Sequence, residues 1–183
     1  SSAVTTSHDY KLSGVTGTDK AVSKTGTETL TNKTLTAPIL NTPTISNPYK
    51  FSAYRTAALD TPNNTNAIVA FDTELFDTNN NFDITTNKGR YTAPVNGFYF
   101  FAANISHNGN IRTVLDLYRN GTSIIRGSDS VGVGGNLTVS VSGLIKLTAG
   151  QYVEVNIWTP SIAAFVVTAA SCNCFEGFLV SQT

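Results

Sequence analysis

Few residues in this chain could carry chemistry. Among its 183 residues are two histidines, His8 and His107, and two cysteines, Cys172 and Cys174. Nucleophilic catalysis needs a base held within reach of the attacking hydroxyl or thiol, and a third group to orient the base. His8 lies in a Thr/Ser-rich leading stretch, and His107 falls in a His-Asn-Gly-Asn run that reads as a turn. Neither is expected to act as a base. Cys172-Asn173-Cys174 leaves one residue between the thiols. A zinc pair needs a spacer of about two to four residues and two further ligands. On a strand, residues two apart face one way at roughly 6.6–6.8 Å, the far limit for a disulfide. Two free thiols near a strand start are expected. The alternative is a bridge between chains.

The carboxylates offer two other chemistries. A glycosidase needs two of them flanking a sugar. Asp72, Glu74 and Asp77 cluster in sequence, while Asp116, Asp129, Glu154 and Glu176 are scattered. Surface and capping roles are the expectation for all of them. Asp77-x-Asn79-x-Asn81-x-Asp83 has the spacing of the first half of a calcium loop. Its sixth position is Phe82 rather than Gly, and its twelfth is Lys88 rather than the bidentate Glu. No cofactor is expected, and calcium is kept open only for a site elsewhere. Gly132-Val133-Gly134-Gly135 precedes a strand pattern rather than a helix, so it does not form a phosphate loop. The chain reads as a non-enzyme.

What positions these groups is legible in the composition. Hydrophobic residues make 40% of the chain and charged residues 13%, against about 25% charged in a typical domain. Twelve Lys and Arg balance twelve Asp and Glu. A binder that neutralises phosphates needs a basic surplus, so nucleic acid is not an expected partner. A polybasic membrane-surface role is excluded on the same ground. No apolar run approaches the ~20 residues that span a bilayer, and no signal-peptide pattern opens the chain. Polarity comes instead from Thr, Asn, Ser and Gly. Thr suits pleated surfaces, while Asn and Gly suit turns. An all-β protein is expected.

The chain divides near residue 50. Residues 1–50 contain no aromatic between Tyr10 and Tyr49. They lack the apolar surface to offset ~1–2 kcal/mol per residue of backbone ordering. Yet Leu30, Leu35, Leu40 and Ile45 recur every five residues, as do Pro38, Pro43 and Pro48. That period fits neither a helix nor a flat strand, and the prolines exclude a continuous helix. Several identical extended chains wound together would bury the Leu30–Ile45 series, which makes it a candidate stem for self-association. A flexible Thr/Pro linker is the alternative.

Residues 51–183 have a core. Strands are expected near Ala67–Phe71, Gly97–Ser106, Thr113–Tyr118, Ser123–Ile125, Leu137–Leu147, Tyr152–Trp158 and Phe175–Val180. Asn120-Gly121 is a hairpin signal. Val139, Val141, Gly143, Ile145 and Leu147 share one face at period two. Phe98, Tyr99, Phe100 and Phe101 put aromatics on both faces of one strand, as a strand at a subunit interface would. About 130 residues of short strands suggest a sandwich or barrel.

Two resemblances add to this reading. TGTETLTNKTLTAPILNTPTI is similar to the GTETLTNKTLTAP-type segment of tail-fibre and other structural proteins of tailed bacteriophages. It implies a virion component, with residues 1–50 attaching the chain to other virion proteins. The second runs from Phe71 through Asp77 and Phe82 to GRYTAPVNGFYFF, and closes on Phe175-Glu176-Gly177-Phe178-Leu179-Val180. This series resembles the signature of the C1q/TNF-like domain, with Asp116-Leu117-Tyr118-Arg119-Asn120-Gly121 similar to its middle hairpin. Tyr91 stands where Phe is usual, and eight residues separate Phe82 from Tyr91 where six are usual. The resemblance implies a ten-strand jelly roll that assembles as a homotrimer.

If the stem and the C-terminus share one end of the head, strand alternation puts the turns at Asn120-Gly121 and Gly150 there too. The loops around 108–110, 126–136 and 159–171 then form the far tip. Asn108, Asn110, Arg126, Asp129 and Thr159 are the candidate residues for hydrogen-bonding a host surface glycan or protein. The expectation is a trimeric tail fibre or spike on the exposed surface of a phage particle, without membrane insertion. A capsid decoration or head-fibre protein is the second reading, and a polysaccharide-degrading fibre enzyme the third.

Overall fold

The computed structural model describes residues 49–57, 59–61, 64–108, 111–131, 136–160, 163–165 and 172–183. The candidate stem residues Leu30, Leu35, Leu40 and Ile45 lie outside the described residues, as do His8 and Asn110. The strands are β1 (Lys50–Tyr54), β2 (Leu59–Thr61), β3 (Ala67–Ile68), β4 (Thr73–Asp77), β5 (Phe82–Asp83), β6 (Arg90–Thr92), β7 (Gly97–Asn108), β8 (Arg112–Arg119), β9 (Thr122–Val131), β10 (Asn136–Leu147), β11 (Tyr152–Trp158), β12 (Ala163–Phe165) and β13 (Cys174–Gln182). No helix occurs among the described residues. The fold is an all-β jelly roll, as expected, though its strands are divided into thirteen segments rather than ten.

Two sheets pack face to face. One has five strands in the order β10-β7-β13-β1-β4. The other has six, with β5-β6-β11-β8-β9 in line and β3 beside β11. A two-stranded sheet pairs β12 with β2. Alternation decides what lies between the sheets. On β7, Tyr99, Phe101, Ala103 and Ile105 point inward and are buried, and Val139, Val141, Ile145 and Leu147 do so on β10. From the facing sheet, Leu115, Leu117, Val153, Val155 and Ile157 complete the core. At its centre Phe51 stacks on Phe82 at 4.6 Å and on Tyr91 at 4.8 Å, and meets the edge of Phe175 at 5.0 Å. Burying each such ring contributes about 1.5–3 kcal/mol.

The ends of the sandwich are set by pairing. Lys50 opposes Phe178, and Leu179 N–H donates to the Tyr49 carbonyl. The chain therefore enters the domain at the end where β13 leaves it. Thr183 N–H donates to Asn96 O and Gly150 N–H to Ala93 O at that same end. Asn120 and Gly121 take φ of 49° and 79°, the left-handed pair a tight hairpin requires. Asn120 Oδ1 also accepts the Tyr152 N–H at 2.9 Å, tying this turn to β11. Gly97 starts β7 where a Cβ would come within 2.5 Å of the Ser181 carbonyl, so close approach to β13 demands glycine.

Three differences from the sequence reading bear on the site. His107 belongs to β7, opposite Leu137, and not to a turn. The fourth expected strand, Ser123–Ile125, extends to Val131, so Arg126 and Asp129 sit on a strand rather than in a tip loop. Six short segments (β1, β2, β4, β5, β6 and β12) were not expected as strands.

Candidate functional site

Alternation that sends one set of side chains into the core sends the other set outward, and the two sheets differ in what they present. On the five-stranded sheet, Leu144, Phe100 and Phe178 stand side by side on β10, β7 and β13. The rings of Phe100 and Phe178 are 5.7 Å apart. Leu144 is 57% exposed, Phe178 46% and Val180 53%. Phe76, on β4 beside Ser52, is exposed on the same face. Phe76, Phe100 and Phe178, with Lys50 and Glu176 at the margin, line a depression of about 250 Å³. Leu75, beside Phe76 on the edge strand, is the extra residue of a bulge and is also exposed. A bulge on an edge strand discourages indiscriminate strand pairing.

The six-stranded sheet presents ion pairs. Arg90 Nε donates to Glu154 Oε1 at 2.8 Å, and its guanidinium lies 3.7 Å above the Tyr152 ring. Arg126 Nε donates to Asp116 Oδ1 at 3.2 Å, and Ser123 Oγ donates to Asp116 Oδ2 at 3.1 Å. Arg112 grips Asp129 with two bonds, at 2.7 and 2.6 Å, and lies 5.4 Å from the Trp158 ring. The Arg112 hydrogen bonds hold the Asp129 carboxyl below its ordinary pKa. Asp116, Glu154 and Asn156 are buried at this surface by the side chains around them.

The other candidate residues are placed as follows. Asn108 ends β7, opposite Asn136, at the end of the sandwich away from Tyr49 and Thr183. Asp129 is near that end, and Arg126 is further along β9. Thr159 is fully buried and its carbonyl accepts the Asn64 N–H, so it does not present a side chain to a ligand. Asp77 and Asp83 spend their oxygens on their own loop. Asp77 accepts the N–H groups of Asn79 and Phe82, and Asp83 those of Thr85, Thr86 and Asn87. The Asn87 and Thr85 N–H bonds hold the Asp83 carboxyl far below its ordinary pKa, against a small opposing effect of burial. These caps close the longer loop between Phe82 and Tyr91. They do not fit a calcium loop, whose carboxylates must converge on one point. Among the described residues, no three His, Cys, Asp or Glu side chains gather as metal ligands would. Cys174 Sγ accepts a hydrogen bond from Asn104 Nδ2 at 3.6 Å.

Burial pushes the Asp72 carboxyl up, but hydrogen bonds from Thr56, Thr73 and Ala57 outweigh it and leave the group below its ordinary value. Burial, then Asp77 and Asp83, raise Glu74. Sequence reasoning found the two-faced β7 but missed Phe76, Leu144, Phe178 and Val180. It also missed Arg90, Arg112 and Trp158. The available signal was alternation: Tyr152, Glu154, Asn156 and Trp158 are the outward set of a strand whose other residues are all aliphatic.

Comparison with known proteins agrees with this architecture. The C1q domain model matches residues 50–180. The globular domain of zebrafish complement 1qA protein superimposes with a TM-score of 0.52 at 24% identity, covering 74% of this chain and 99% of that one. Murine APRIL at pH 5.0 gives 0.55 at 11% identity, with 72% and 98% covered. The Eiger TNF of S. frugiperda gives 0.51 at 9% identity, with 75% and 96% covered. No curated protein matches the sequence.

Proposed function

The chain belongs to the C1q-domain family, and we propose that it forms the trimeric head of a bacteriophage tail fibre or spike. In this reading residues 1–50 fix it to other virion proteins and the head faces the host cell. Its work is adhesion and assembly rather than catalysis. The observation that carries the reading is the apolar outer face of the five-stranded sheet. Contiguous exposed apolar surface of this kind marks an interaction site, and the family resemblance implies a homotrimer. A three-fold ring is closed by two different patches meeting head to tail. The continuous Phe76–Phe178–Phe100–Leu144 face is one such patch. The stem series Leu30, Leu35, Leu40 and Ile45 would be buried by the same three-fold winding.

The phage assignment rests on the GTETLTNKTLTAP-type segment. Three heads on one axis would convert weak single contacts into avid attachment. The test is competition: the purified full chain is added to host cells before the particle that carries it. Saturable binding that blocks particle adsorption is the expected result. Absence of binding, with adsorption unchanged, would leave the chain an architectural role only.

A further inference from the structure

The outer face of the six-stranded sheet contributes nothing to the proposed trimer contact, yet it is organised. From β11 across β8 to β9, Asn156, Asp116 and Arg126 form one cross-strand row, and Trp158, Val114 and Asp129 form the next. Arg112 closes the second row by bridging Asp129 and Trp158. Trp158 is the single tryptophan of the chain and is partly exposed. Val114, beneath it, is buried.

We infer that this surface is a binding platform for a neutral saccharide, with Trp158 as the stacking ring and the Arg112–Asp129 and Arg126–Asp116 pairs as hydrogen-bonding groups. The inference rests on the adhesion reading and moves its contact from the tip loops to this sheet. The chemistry follows from what each group has left to give. A guanidinium has five N–H donors and a carboxylate about four lone pairs. Arg126 and Arg112 spend two donors each on their carboxylates. The side chains of Arg126, Arg112 and Asp129 are 62%, 49% and 33% exposed, so donors and an acceptor remain open to solvent.

A donor beside an acceptor on a rigid sheet is complementary to adjacent sugar hydroxyls, each of which both donates and accepts. An aromatic ring beside them suits the apolar C–H face of a pyranose. Each guanidinium is already neutralised by its own carboxylate, so the surface has no excess charge for an anionic ligand or nucleic acid. Ion pairing also holds these side chains in place beforehand, which lowers the entropy lost on binding. Its outward aromatics, Tyr118, Tyr152 and Trp158, are each half-buried, two of them against guanidinium groups, and are not exposed outright like Phe76 and Phe178 on the opposite sheet, which suit a protein partner.

The lone tryptophan supplies the readout. The full chain is applied to an array of neutral and acidic oligosaccharides of bacterial-surface type, and each hit is titrated while Trp emission is recorded. Expected are saturable binding of a neutral saccharide, a change in Trp emission, and a loss of at least tenfold in affinity in Trp158→Ala and in Asp129→Ala, with oligomer mass unchanged. Binding to no neutral saccharide, binding to acidic ones alone, or binding that both variants retain would overturn the inference. Host-cell binding is measured in parallel. Cells bound equally well by Trp158→Ala would remove this site and leave adhesion standing. Saccharide binding without cell binding would keep the site and remove the adhesion reading.

Discussion

The two sheets of this domain turn opposite characters to the outside. Both are antiparallel, both send aliphatic and aromatic residues into one shared core, and both obey the same period of two. On the five-stranded sheet the outward set is Phe100, Leu144, Phe178 and Phe76, with Phe100 half-buried beside Phe178 and the other three exposed. On the six-stranded sheet it is Arg90 with Glu154, Arg126 with Asp116, and Arg112 with Asp129. The polar face is complete within one chain, because each charge has its partner there. The apolar face is incomplete, because exposed rings gain about 25 cal/mol per Å² only when something removes them from water. One pleat thus makes a surface that stays wet and a surface of exposed rings that the proposed trimer would cover.

That contrast sets how substitutions should behave. The largest effect is expected for Phe100→Asp. A charge in the middle of the apolar face would be buried unpaired on assembly, at about 3–5 kcal/mol per interface. Sedimentation should show a folded monomer. Arg90→Ala acts on the other face. It leaves the buried Glu154 carboxylate without its guanidinium and should lower chain stability by about 1–3 kcal/mol in denaturant melts, with the oligomer mass unchanged.

Smaller effects are expected where a group belongs to neither face. Asp83 has a folded-state pKa held below the ordinary carboxylate value of about 3.9. Its contribution to stability is therefore full above that value and is lost as pH falls toward the depressed one. Asp83→Asn should flatten the acid limb of a pH–stability curve and leave the neutral region less stable. Tyr91→Phe is the smallest. The Tyr91 hydroxyl is buried with no hydrogen-bond partner among the described residues, and burial keeps the phenol protonated. Its removal should be neutral or stabilising by up to about 1 kcal/mol in a thermal melt.

How much of this the sequence disclosed depends on how local each feature is. β7 and β10 were legible because long runs such as VSVSGLIKL alternate clearly. Asn120-Gly121 was legible because its backbone conformation is local. β1 and β4 were not. KFSAY is short, and its inward Phe51 and Ala53 are recognisable only once β13 pairs with it. TELFD carries two acids in five residues and resembles a loop, yet β1 draws it into the sheet. The same override explains Arg126 and Asp129. RGSDSV is polar and Gly-containing, but its ladder with β8 extends to Val131. The apolar patch was half legible: Phe98–Phe101 announced a two-faced strand, whereas Leu144 and Phe178 join Phe100 only through a strand order that no local pattern encodes.

The most direct measurement is the solution mass of the full chain by sedimentation equilibrium at micromolar concentration in neutral buffer. The account predicts three times the 19.5 kDa chain, falling to a single chain in Phe100→Asp. A wild-type chain that sediments as a folded monomer, its aromatic face open to water, would contradict it.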